Sequence, residues 1–121
     1  DITDEDQIKS LSNMYDLVFI DAPCSGLGTL RRHPEIRWRI SEKDIELLCQ
    51  IQKTMLDQAA KRVKNHGILA YSTCTVVLEE NKKQIKTFLK EHDSYSLLYD
   101  KKYMLTLTQS DAHFLSLLSK N

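Results

Sequence analysis

The sequence predicts an α/β fold: a mostly parallel sheet with helices between its strands and an antiparallel hairpin at the C-terminal end. Three observations carry that expectation. Two short runs rich in β-branched and aromatic residues, YDLVFID (15–21) and ILAYSTC (68–74), read as buried strands. Between them runs one long stripe of apolar residues at helical spacing. After His92 the helical period gives way to short strand-like segments, SYSLLYD, KYMLTLT and AHFLSLLSK. Strand–helix–strand–helix order implies parallel strands joined by right-handed crossovers.

Taken in order, residues 1–14 are polar and read as a loop or a short helix. YDLVFID ends in Asp-Ala-Pro and has the composition of a strand covered on both faces. Residues 22–40 hold Pro23, Gly26, Gly28 and Pro34 and predict one long loop. Loops of that length in compact domains are functional or disordered. Ser41 offers an N-cap, with Asp44 three residues on in a near capping box. Ile45, Leu48, Cys49, Gln52, Leu56, Ala59, Ala60 and Val63 then form the stripe of a helix of about six turns, which Gly67 in KNHG would stop. Beyond the second strand, Glu79, Glu80 and Asn81 open another helix, with Ile85, Phe88 and Leu89 facing inward. Acids in its first turn and Lys90 near its end suit the helix dipole.

Composition bounds the function. The 121 residues suit one domain, and 41% hydrophobic content with 28% charged predicts a folded chain. Lys plus Arg (17) equals Asp plus Glu (17), so any basic site must be local. The apolar runs fall far short of the ~20 residues that span a bilayer, and the opening DITDEDQIKS is not a signal peptide. Cys24, Cys49 and Cys74 contain no C-x-x-C pair, which argues against a disulfide scaffold and against zinc. Reduced thiols, no membrane partner and a cytoplasmic setting are expected.

Ligands of open α/β sheets bind beyond the carboxyl ends of the strands. Asp21 and Cys24 follow one strand end and Cys74 closes the other, so both cysteines are expected on the binding edge. A thiolate is a strong carbon nucleophile. A carboxyl at a strand end can protonate or hydrogen-bond a ligand. Pro23 fixes a backbone angle, and Gly26 and Gly28 permit a tight turn or close approach. The plainer alternative is filler. Cys49, inside the helix stripe, reads as a small hydrophobe, and an isolated cysteine at a strand end would too.

The strings around the cysteines change that balance. DAPCSGLGTLRRHPEIRW together with YSTCT and EEN resembles the Sun (Nop/Sun, Fmu-type) family of RNA cytosine-5 methyltransferases. The likeness runs from about Asp1 to His92 and includes QKTMLDQAAKRVKNHGILAYSTC. It implies the C-terminal half of a Rossmann-like, S-adenosylmethionine-dependent methyltransferase fold acting on RNA, ribosomal RNA above all. It also implies roles: Cys74 as the nucleophile at carbon 6 of cytosine, Cys24 as the thiol that assists proton removal and product release, and Asp21 as the acid on the base. Asp21, Pro23 and Asp1 would lie against the methyl donor. A base attacked at carbon 6 must be unstacked, which favours single-stranded or flipped-out RNA.

In the loop after Cys24, Arg31, Arg32, Arg37, Arg39 and Lys43 surround His33 and Trp38, a local pattern suited to phosphates and a stacked base. Arg31, Arg32, Arg37 and Trp38 are the expected RNA contacts. Against this stands a solvated loop in which Glu35 and Glu42 pair with the arginines and Trp38 packs on the core. The family's glycine-rich strand–turn–helix has no counterpart upstream of Asp21, and Ala112-His113 replaces a more usual Gly-Phe pair. Residues 1–121 are therefore expected to be a partial catalytic domain, inactive alone, with an open edge beside the Asp21 strand that invites self-association. The alternative is a non-catalytic RNA-binding or structural piece. A cysteine hydrolase would need His33, His66, His92 or His113 beside a thiol.

Overall fold

The computed structural model describes residues 13–103 and 111–121. Strand β1 is Tyr15–Asp21, followed by the one-turn helix α1 (Ile36–Arg39) and the long helix α2 (Glu42–Ala60). Strand β2 (Val63–Thr73), helix α3 (Lys82–Glu91), β3 (Tyr95–Tyr103) and β4 (His113–Lys120) complete the order. The sheet runs β1-β2-β4-β3. β1 and β2 are parallel, whereas β4 inserts antiparallel between β2 and β3. The parallel character of the described sheet thus resides in β1 and β2, and the expected C-terminal hairpin supplies the rest.

The capping box is real. Ser41 accepts a hydrogen bond from the Asp44 backbone N–H, and the Asp44 carboxylate accepts from the Ser41 N–H at 2.8 Å. Two orphan donors at the start of α2 are thereby satisfied. The end of α2 departs from expectation. The helix stops at Ala60, whose carbonyl accepts the Tyr95 hydroxyl at 2.9 Å, and Val63 already belongs to β2. β2 then bulges. Tyr15 pairs with Val63 and Leu17 with Ile68, so residues 64–67 bow out with His66 at φ 64°. Gly67 therefore sits within a strand and ends no helix.

α3 also differs at its start. It begins at Lys82 with no acid in its first turn, because Glu80 and Asn81 turn their side chains into the protein. Nor is β1 covered on both faces. Val18 and Ile20 reach the core shared with Leu56, Leu69, Tyr71, Phe88, Phe114 and Leu118, while Leu17 and Phe19, on the opposite face of the pleat, are 58% and 60% exposed. Apolar composition alone does not distinguish a central strand from one whose second face lies open. Of the strand-like run KYMLTLT, residues 104–108 lie outside the described residues, as does most of 1–14.

Candidate active site

β1 and β2 are adjacent and parallel, so both deliver their carboxyl ends to one edge of the sheet. Asp21 ends β1 opposite Ser72. The loop that follows is tied across the end of β2. The Ala22 N–H donates to the Ser72 carbonyl and the Gly28 N–H to the Cys74 carbonyl, each at 2.9 Å. The Gly28 carbonyl in turn accepts the Ala112 N–H at the start of β4. Only glycine fits there: a Cβ on Gly28 would lie 2.3 Å from the Ala112 carbonyl oxygen and 2.6 Å from that of Cys74. Gly26, at φ 71°, makes the turn just after Cys24.

The outcome is a pair of half-buried free thiols, Cys24 and Cys74, with their sulfurs 3.4 Å apart. The sequence separates them by fifty positions, and the parallel register reunites them. Burial pushes the Cys24 thiol up to about 12, and the neighbouring Cys74 adds to the rise. Cys24 therefore holds its proton at neutral pH. The Asp21 carboxylate is exposed at the same edge and makes no hydrogen bond among the described residues. Pro23 is exposed, with its carbonyl held by Gln52 Nε2 at 2.9 Å. Asp1 lies outside the described residues.

Behind the thiols lies a polar layer that sequence reasoning missed. Glu80 is 0% exposed and its carboxylate accepts the Ser25 N–H at 2.8 Å, the Ser25 hydroxyl at 2.6 Å and Gln52 Nε2 at 3.1 Å. The Ser25 and Thr75 hydroxyls are 2.8 Å apart. The Glu80 carbonyl accepts the Tyr71 hydroxyl at 2.7 Å, and Asn81 bridges Thr73 Oγ1 and the Thr75 carbonyl. One signal was available: Gln52 is a polar residue in the middle of an apolar stripe. Glu80 gave no such sign, because an acid before a helix is normally read as its first turn.

The arginine cluster divides. Trp38, on α1, is 85% exposed and does not pack on the core. Arg31 and Arg37 are exposed and unpaired among the described residues, and neither Glu35 nor Glu42 pairs with an arginine. Arg32 instead grips Asp111 at 2.5 Å through Nη2 and 2.8 Å through Nε. No histidine bonds either thiol among the described residues: His33 lies against Glu35 and His92 against Asp57. That removes the hydrolase dyad. Asp57, Glu91 and His92 bring their ligand atoms within 4.8 Å of one another, but the Lys53 ammonium already bridges the two carboxylates.

A thiol pair and an acid thus share the carboxyl edge of the two parallel strands. The family model described as 16S rRNA methyltransferase RsmB/F matches residues 1–116. The chain belongs to this family. The ribosomal RNA small subunit methyltransferase B of Salmonella paratyphi B is 49% identical over 76 residues, which cover 63% of this chain and 18% of that protein. The chain thus spans under a fifth of the length of the curated relatives it matches.

Solved structures share the fold. PH0851 superposes with a TM-score of 0.78 at 35% identity, over 87% of this chain and 26% of its own. NSun6 from Pyrococcus horikoshii, solved with SFG, gives 0.83 at 23% identity, over 99% and 33%. SMU.776, complexed with SAH, shares the fold at a TM-score of 0.59 and 15% identity, over 95% and 29%. The expected Rossmann-like methyltransferase fold, of the S-adenosylmethionine-dependent class, is the fold the chain has. Among the described residues no helix is long and apolar enough to cross a membrane.

Proposed function

We propose that the chain is the base-handling part of a catalytic domain that methylates carbon 5 of cytosine in RNA, ribosomal RNA first among substrates. The observation that carries this reading is the 3.4 Å pair of thiols at the ends of two parallel strands, beside an acid with no hydrogen-bond partner among the described residues. Cys74 attacks carbon 6 of the ring, forming a carbon–sulfur bond and making carbon 5 electron-rich. Asp21 hydrogen-bonds or protonates ring nitrogen 3, which lowers the barrier to that addition. S-adenosylmethionine, when bound, supplies an electrophilic methyl group. The Cys24 thiol then passes its proton to the Cys74 sulfur as the carbon–sulfur bond breaks, the carbon 5 proton passes to the Cys24 sulfur so freed, and the carbon 5–carbon 6 double bond re-forms. The environment of Cys24 supports this division of labour: a thiol that burial keeps protonated is a poor attacking group.

In this reading Asp21 and Pro23, exposed at the strand edge, meet the donor, with Asp1 the further candidate from the sequence. Trp38 offers a base-stacking face, and Arg31 and Arg37 offer phosphate contacts. Arg32 joins them only by giving up Asp111. Residues 1–121 form a partial domain in this reading, and calorimetric titration of the isolated chain with S-adenosylmethionine should show no binding.

The assignment of roles is tested with RNA carrying 5-fluorocytosine at the target position, in a protein of the relatives' full length that contains this sequence. The fluorine blocks the final elimination and traps the adduct. The adduct is expected to vanish in Cys74→Ala and to persist in Cys24→Ala. The reverse pattern would sink the roles.

A further inference from the structure

We propose that Glu80 is a positioning residue for the two thiols, acting through Ser25 and Thr75, the residues that directly follow Cys24 and Cys74. Proton counting sets the direction of the hydrogen-bond chain. A buried carboxylate accepts and does not donate, so the Ser25 hydroxyl must donate to Glu80 Oε2 at 2.6 Å. That uses its single proton. At 2.8 Å, Ser25 Oγ can then only accept from the Thr75 hydroxyl. Thr75 Oγ1 in turn accepts the Val77 N–H at 3.2 Å. The direction Thr75 to Ser25 to Glu80 is therefore fixed.

That chain joins the two cysteine strings one residue behind their sulfurs. Glu80 Oε1 also takes the Ser25 N–H and so grips the Cys24 loop by backbone and side chain together. Gln52 spans from Glu80 to the Pro23 carbonyl, holding the residue on the other side of Cys24. Ser25, Thr75, Gln52 and Glu80 are all buried, at 4%, 0%, 0% and 0% exposure. No cation pairs with Glu80 among the described residues; its compensation is the Ser25 and Gln52 donors. An anion so placed costs stability unless its donors stay put, so it fixes geometry more than it adds to the fold. What it fixes is the spacing of Cys24 and Cys74. The inference rests on the proposed chemistry for its purpose, but its test does not.

Phenylarsine oxide reads the spacing without RNA or methyl donor, because tight binding requires two thiols to close on one arsenic with loss of water. In a Cys49→Ser background only the Cys24–Cys74 pair can bind it. Thr75→Val removes the hydroxyl while keeping the shape. It is expected to weaken arsenical binding at least tenfold, with Thr75→Ser restoring it and circular dichroism unchanged. Ser25→Ala should weaken binding to the same degree and decides the matter if Thr75→Val does not fold. Binding within twofold of the parent in a folded Thr75→Val or Ser25→Ala chain would overturn the proposal. That result would leave the cytosine chemistry standing, since the 5-fluorocytosine adduct reports on it separately.

Discussion

Cys24 and Cys74 share one edge of the sheet, yet Cys24 is marked as the proton-holding member by its surroundings. Burial penalises its thiolate, and the adjacent Cys74 sulfur disfavours charge further. This has a consequence for stability. Below the ordinary thiol value of 9.0, Cys24 is protonated in both the folded and unfolded chain, and its contribution is fully present. Above that value the unfolded chain loses the proton, while the folded chain keeps it until about 12. Stability should therefore fall as pH rises through that window. Buried Tyr95, pushed up to about 12 by desolvation, acts in the same direction. Urea unfolding of the parent and of Cys24→Ser across the alkaline range separates the two. The parent should lose more stability than the variant, and parallel curves would show that burial does not hold the Cys24 proton.

At this scale the sequence was informative about which thiols and acid share the edge and silent about what supports them. DAPC and STC named the thiols and the acid because their neighbours are distinctive. Ser25, Thr75 and Glu80 were illegible because nothing local says that a serine, a threonine and an acid fifty-five positions apart meet in one buried cluster.

At the scale of elements, two sites test how the scaffold holds the edge. Ser41→Ala removes the cap of α2 and should cost about 1 kcal/mol in urea unfolding. The Asp44 carboxylate, held below its usual range by Ser41, should return toward an ordinary value in the same variant, as carboxyl NMR titration would show. Gly28→Ala is more severe. Its methyl group would drive into the carbonyls of both Cys74 and Ala112, so the loop, β2 and the start of β4 must part. Overpacking of this kind costs roughly 1–3 kcal/mol, and phenylarsine oxide binding by the Cys24–Cys74 pair should weaken alongside.

Element identity was readable where local chemistry and period agreed, as in the capped α2 and the paired strands β1 and β2. It failed at Val63–Gly67, where an apolar residue in helical phase and a following glycine imitate a helix end. Tertiary pairing of Val63 with Tyr15 overrides that local pattern. It failed again at Glu80, whose side chain is taken by Ser25 and Gln52 before any helix dipole can claim it.

At the scale of the whole molecule, β1 and β3 are the two outer strands of the described sheet. They are protected differently. β3 carries Asp100, Lys101 and Lys102 and has a bulge between Leu97 and Tyr99, two devices that discourage pairing with another chain. β1 has the uncharged run Leu17–Val18–Phe19–Ile20, and Leu17 and Phe19 are exposed on its open face. Its outer backbone groups have no strand partner among the described residues. Self-association of the isolated chain is therefore expected, and through β1 in preference to β3. Light scattering should give an average mass that rises with concentration. Phe19→Lys should abolish the rise while leaving the thermal midpoint nearly unchanged, because the side chain it replaces is already in water. The control Leu98→Lys, on β3 at 58% exposure, should leave the rise intact. A concentration-independent monomer would show that the β1 edge is shielded, and loss of association in Leu98→Lys alone would transfer the contact to β3.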